Sequence, residues 1–244
     1  GAINIRGNVI YAVNNADLNI INSNFVDNSP SSKYGSNRNT DVCYGGAIYI
    51  DGAIVDVSNS TFINNQVTSK YGVNYGGVFY VTNGGQLTIN HSSFINNSAS
   101  KIEGTYGPKG GVIYATGANS NIIINDSSFT NNIAESNDDV ASVAGAIFLD
   151  YNVKLQLTNS NFTDSVASQD GGAIFIAGTY TGNITDCNFI NNTAGAGGAI
   201  YAGANANGLL NVTGSNFINN TAITGNGGAI LTSSNTIVNN STFI

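Results

Sequence analysis

Charge is scarce in this chain. Lys, Arg, Asp and Glu together make up 9% of its 244 residues, against about 25% in ordinary globular proteins. Seven residues are basic and fourteen acidic, for a net charge of −7. That balance excludes the basic footprint on which nucleic-acid binding rests. Met and Trp are absent, Pro occurs twice and His once. No apolar run approaches the ~18 residues of a membrane-spanning helix, and no basic-then-apolar start marks a signal peptide. The two cysteines, Cys43 and Cys187, are too few for a metal centre of their own and form no CxxC pair. Composition does not point to disorder: 41% of residues are apolar, and the net charge is small for the length.

Asparagine and glycine fill the space left by charge, with 41 Asn and 30 Gly. They fall in a repeat. One motif is Gly-Gly, a small or branched residue, Ile and an aromatic: GGAIYI from Gly45, GGVFYV from Gly76, GGVIYA from Gly110, AGAIFL from Ala144, GGAIFI from Gly171, GGAIYA from Gly197 and GGAILT from Gly227, with a weaker copy at Gly7. The second motif is Phe-x-x-Asn at Phe25, Phe62, Phe94, Phe129, Phe189 and Phe217, with Ser165 in the Asn place after Phe162 and a truncated copy at Phe243. The two motifs alternate, and successive Phe lie 26 to 37 residues apart.

Alignment on Phe exposes columns. Five residues before it stand Ile20, Val57, Ile89, Ile124, Leu157, Ile184, Val212 and Val238. Leu, Val or Ile fills most of the column seven before, and Ser fills the column two before, with Cys187 as the exception. A spacing of two is strand periodicity, and no 3.6-residue pattern runs through the chain. Each unit reads as three short strands separated by Asn, Gly and Ser turns. Short strands repeating every ~30 residues without crossover helices predict a solenoid. The expected fold is an all-β, right-handed parallel β-helix of about eight coils with three strands per coil. At ~4.8 Å per coil it forms a rod of roughly 35–40 Å.

The composition follows from that fold. Side chains at matching positions sit ~4.8 Å apart, where like charges repel but amides donate to one neighbour and accept from the other. The pairs Asn64-Asn65, Asn96-Asn97, Asn131-Asn132, Asn191-Asn192 and Asn219-Asn220 are where such ladders are expected. Asn also tolerates left-handed turns. The eleven N-x-[ST] sequons arise from the repeat itself, and exposed ones are glycan acceptors only in an organism that glycosylates its surface.

The alternating GGA(I/V) and FxxN motifs resemble the polymorphic outer-membrane protein repeats of bacterial autotransporter adhesins. The Asn-rich "NSTFINN…GGAIY" texture is similar to adhesin-like surface proteins of methanogenic archaea. The resemblance covers essentially the whole chain. It implies an extracellular, cell-surface β-helical region involved in attachment, with no cofactor. The chain opens inside a coil and stops one residue beyond Phe243, so residues 1–244 are read as a single segment of a longer surface protein.

Candidate binding residues lie between each Phe-x-x-Asn and the next Gly-Gly. The connections 29–44, 66–75, 98–109 and 133–143 are long, whereas 166–170, 193–196 and 221–226 are short. Long connections at matching positions cluster on one flank, where solenoids often place a binding face. Five of the seven basic residues fall there, and Ser-Lys-Tyr-Gly occurs twice. The expected ligand-binding set is Lys33, Tyr34, Arg38, Lys70, Tyr71, Lys101, Tyr106 and Lys109. Tyr beside Lys suits a glycan or acidic partner on another cell, by ring contact and charge-assisted hydrogen bonds. The plainer alternative is that charge collects where it need not stack.

A second candidate is the aromatic column Tyr11, Tyr49, Tyr80, Tyr114, Phe148, Phe175 and Tyr201, which alternates with a column of Ile10, Ile48, Phe79, Ile113, Ile147, Ile174, Ile200 and Ile230. Only one column faces the core. The Ile column is expected inside, with the aromatics stiffening the outer face rather than binding a sugar chain. An enzyme is the contrasting reading, since polysaccharide hydrolases and lyases need convergent carboxylates, a base or Ca²⁺ ligands. The carboxylates here are scattered, Asp126 and Asp186 share a column two coils apart, Glu135, Asp138 and Asp139 read as a solvated loop, and His91 occupies a turn position held elsewhere by Asn22, Asn59 and Asn159. Both cysteines are expected free, because four coils, ~19 Å, separate them along the axis. The expected function is non-catalytic attachment, with a passive stalk as the alternative and a polysaccharide-cleaving enzyme as the third possibility.

Overall fold

The computed structural model describes residues 10–32, 42–70, 72–103, 106–137, 140–178, 180–203 and 208–244. Their elements are strands, and the strands pair in parallel with the matching strand of the next unit. Three eight-stranded sheets result, as the repeat predicts. The first runs from Ile10–Val13 to Ile230–Thr232, the second from Asp17–Ile21 to Asn235–Asn239, and the third from Asn24–Val26 to Thr242–Phe243. The molecule is a parallel β-helix.

Register follows the columns read from the sequence. Phe25, Phe62, Phe94, Phe129, Phe162, Phe189, Phe217 and Phe243 are successive partners in the third sheet. Their rings form one pile, buried from Phe62 to Phe217 and open at the terminal Phe243, with centroids 4.5 to 5.1 Å apart. Offset stacking at this distance adds roughly 0.5–1.5 kcal/mol per pair to simple burial. The Ile column of the first sheet joins them in one core: Ile48, Ile113, Ile147, Ile174 and Ile200 are fully buried.

Polar ladders close the corners. Asn65 donates from its backbone N–H and from Nδ2–H to Asn97 Oδ1, at 2.9 and 3.0 Å, and from Nδ2–H to the Phe25 carbonyl at 3.0 Å. Asn97 repeats this with Asn132 Oδ1 and the Phe62 carbonyl, and Asn192 with Asn220 Oδ1 and the Phe162 carbonyl. Satisfying both amide groups is what allows these side chains to be fully buried. The first Asn of each pair has the other expected role: Asn64, Asn96, Asn131, Asn191 and Asn219 all adopt φ between 52° and 55°. A parallel serine ladder runs from Ser60 to Ser92 to Ser127 to Ser160, each backbone N–H donating to the next Oγ at 3.1 Å. Cys187 takes the serine place, with its Sγ–H donating to the Thr185 carbonyl at 3.1 Å. Both cysteines are free and buried.

The Gly-Gly motif has two separate causes. The first glycine sits in the left-handed region, at φ 56° for Gly45 and 67° for Gly76, where L side chains are disfavoured. The second faces its counterpart: a Cβ on Gly46 would lie 2.0 Å from the Gly77 carbonyl oxygen. Ala144 stands in the first place of its unit and still adopts φ 60°.

A fourth sheet was not read from the sequence. Seven strands, from Ser31–Ser32 to Thr221–Ala222, pair in parallel within the connections taken as loops. Gln66–Ser69, Ser98–Lys101 and Ile133–Ser136 fill four residues each in the long connections, and Val166–Ala167, Thr193–Ala194 and Thr221–Ala222 two each in the short ones. Connections 66–75, 98–109 and 133–143 therefore each begin with four residues of sheet.

Candidate functional site

Residues immediately before the Gly-Gly motifs form a ladder of their own, apart from the first sheet. Tyr44 pairs with Tyr75, and single bridges then link Tyr75 to Lys109, Lys109 to Val143, Val143 to Asp170 and Asp170 to Ala196. This column lies beside the outer aromatic column. A cleft of about 280 Å³ opens between them, lined by residues that include Tyr75, Tyr106, Lys109, Val143, Phe175 and Asp170.

The expected binding set divides. Tyr106 and Lys109 meet in the cleft, Tyr106 being 56% exposed. Lys70 stands half-exposed with Nζ 3.9 Å from Glu103 Oε2, a geometry worth little in water. Lys101 departs from the expected exposed position. It ends a strand flanked by Ser69 and Ser136, is 1% exposed, and donates from Nζ to the Tyr106 carbonyl. Its place in the fourth sheet encloses the aliphatic stem, so Lys101 holds the rim of the cleft instead of facing a ligand. Lys33, Tyr34, Arg38 and Tyr71 lie outside the described residues, as do Asp138 and Asp139.

The outer aromatic column behaves as a stiffener. Tyr80, Tyr114, Phe148, Phe175 and Tyr201 stack with centroids 4.8 to 5.4 Å apart and planes within 4°. Each ring face is spent on its neighbour, so solvent meets ring edges. Toward the N-terminus Tyr44 and Tyr75 cover the column, with Tyr44 4.5 Å from Tyr80 and Tyr75 4.4 Å from Tyr114. Burial holds the Tyr75, Tyr80 and Tyr114 hydroxyls protonated well above their ordinary range, and Tyr49 is pushed up to about 12.

Lys109 is the charged member of the cleft. Its Nζ lies 4.9 Å from the Phe148 centroid and 6.0 Å from that of Tyr75. Burial lowers its pKa, while the Asp150 carboxylate pulls it back up. Asp150 is itself engaged, accepting from Tyr114 Oη at 2.7 Å and from the Tyr151 N–H at 3.0 Å. Asp170, two places along the column, has its pKa raised by burial. Val143 and Asp170 were missed in the sequence because alignment on Phe leaves them out of register. Alignment on Gly-Gly puts them in the same column as Tyr75 and Lys109.

The carboxylates elsewhere do not converge. Among the described residues, no group of three or more His, Cys, Asp and Glu is placed to hold a metal ion. Asn159 lies between Asp126 and Asp186 in their column and donates to Asp126 Oδ1 at 2.6 Å. His91 adopts φ 48°, beside 48° at Asn59 and 45° at Asn159, so it fills the same left-handed turn, with Nε2 3.5 Å from Asp126 Oδ2. Glu135 accepts from Ser100 Oγ at 3.1 Å.

The family model described as the Chlamydia polymorphic membrane protein repeat matches residues 91–116, 186–203 and 214–233. Each stretch holds one Phe-x-x-Asn motif and the Gly-Gly motif that follows it, so the similarity falls on the units that build the coil. No curated protein and no solved structure matches the chain. The repeat and the β-helix together fit a segment of a surface protein. No helix among the described residues is long and apolar enough to cross a membrane.

Proposed function

We propose that residues 1–244 form one β-helical segment of a longer, adhesin-like protein displayed on the cell surface, which attaches without catalysis to a glycan or protein of another cell. Attachment runs through the flank built by the long connections. The observation that carries this reading is the convergence of Tyr106 and Lys109 in a cleft on that flank, while the interior repeats itself coil after coil. A uniform interior keeps the rod straight, and variation is admitted only where it faces a partner.

The test replaces Lys33, Tyr34, Lys70, Tyr71, Tyr106 and Lys109 together by Ser and measures retention of beads displaying the chain on a layer of intact cells. Retention should fall at least about tenfold if several charge-assisted contacts are lost. Unchanged retention makes the segment a passive stalk, the reading favoured by ladders that run the length of the helix regardless of the flank. New reducing ends or unsaturated products on incubation with acidic and neutral polysaccharides would instead mark a hydrolase or lyase.

A further inference from the structure

The Lys109 ammonium has no ion pair and no hydrogen bond among the described residues. It is contacted by the Phe148 and Tyr75 rings, while the nearby Asp150 carboxylate is engaged by Tyr114 and Tyr151. The ammonium is partly withdrawn from water, with the Asp150 charge near enough to raise its pKa but no described carboxylate in direct contact, so its hydrogen-bonding positions are open to an incoming anion. The cleft thus presents an ammonium without a direct hydrogen-bond partner among the described residues. Its far end differs. Asp170 lies two coils from Lys109 in the same column, ~10 Å away, with Gln169 beside it and the apolar Val143 between.

Resting on attachment through this flank, we propose that the cleft takes the acidic sugar of a glycan. The Lys109 ammonium receives the sugar carboxylate, the ring lies across Val143 against the edge of Phe175, and Asp170 and Gln169 accept hydrogen bonds from ring hydroxyls. The volume of about 280 Å³ suits one saccharide ring and not an extended chain. Phe175 is stacked 5.0 Å from Phe148 and 4.8 Å from Tyr201, so it offers its electropositive rim, which complements sugar oxygens. A glutamate-bearing peptide meets the same ammonium, but its backbone offers Asp170 and Gln169 one N–H per residue, whereas a sugar ring offers several adjacent hydroxyls that each donate and accept.

The test titrates the full chain calorimetrically with a galacturonate trisaccharide, a neutral galactose trisaccharide and triglutamate. The uronate should bind at least about tenfold more tightly than the neutral sugar, as a charge-assisted contact requires. Lys109→Gln should erase that preference and Lys109→Arg retain it, which separates lost charge from lost fold. Asp170→Asn should weaken both sugars while keeping the preference. Equal affinity for the two sugars, indifference to Lys109→Gln, or tighter binding of triglutamate overturns the proposal. The same variants are scored for bead retention. Retention that depends on Lys70 without any trisaccharide binding overturns the cleft ligand and leaves flank attachment standing. Uronate binding with retention indifferent to the flank supports the cleft and removes attachment as its purpose.

Discussion

The coil containing residues 98–109 and the coil containing residues 193–196 are alike inside and unlike outside. Phe94 and Phe189 occupy equivalent places in one stack, and Asn97 and Asn192 equivalent places in the amide column on either side of Ser165. The outer flank of the first adds a four-residue strand, a buried lysine, an exposed tyrosine and a half-buried lysine; the second has a two-residue strand and passes directly to Gly197. Eight residues of extra length leave the register unchanged, as the pairing of Phe94 with Phe129 and of Phe189 with Phe217 shows. Register in this molecule is held by the interior. The flank is free to vary because no core contact depends on its length.

That division breaks or holds on measurable effects. Phe129 is fully buried between rings 4.6 and 4.5 Å away. Phe129→Ala should cost about 3–5 kcal/mol by urea denaturation, against about 0.5 kcal/mol or less for Tyr106→Ala on the flank. Comparable losses would mean that the flank shares in holding the fold.

Alkaline pH gives the next largest separation. Burial pushes the Cys187 thiol from its ordinary 9.0 up to about 11. The unfolded chain gives up this proton first, so stability is full below about pH 9 and declines toward pH 11, by roughly 2–3 kcal/mol. Cys187→Ser removes the decline that begins at pH 9. What remains should begin above pH 10, where the outer Tyr49, pushed up to about 12, contributes with the same sign. An unchanged profile in Cys187→Ser would place the titration outside the core.

The smallest effect tests the ladder itself. Ser165 stands where other coils have Asn; its backbone N–H donates to Asn192 Oδ1 at 3.0 Å, but its buried Oγ has no partner. Ser165→Asn should continue the amide relay between Asn132 and Asn192 and stabilise the fold by about 1 kcal/mol. Destabilisation would show that the interior at this coil is not equivalent to its neighbours.

Much of the interior was legible because stacking converts sequence columns into contacts. The Phe pile, the Asn ladders and the free cysteines follow once one coil is laid on the next. The flank was less legible. Lys101 reads as an exposed loop lysine, and only its strand partners Ser69 and Ser136 enclose it. The fourth sheet escaped because its strands, such as Ser98–Lys101 and Thr193–Ala194, are short, vary in length and carry little apolar alternation.

By itself the sequence determined the repeat, the parallel stacking and the buried columns of the second and third sheets, where period-two hydrophobicity admits only one face as core; in the first sheet both columns are apolar, and the structure decided between them. Tertiary structure alone decided that Tyr44 and Tyr75 cover the outer rings, that Lys101 is enclosed and that Lys109 and Asp170 border one cleft. Those outcomes depend on how segments of unequal length return to the same sheet, and distances between returning segments are written in no local pattern.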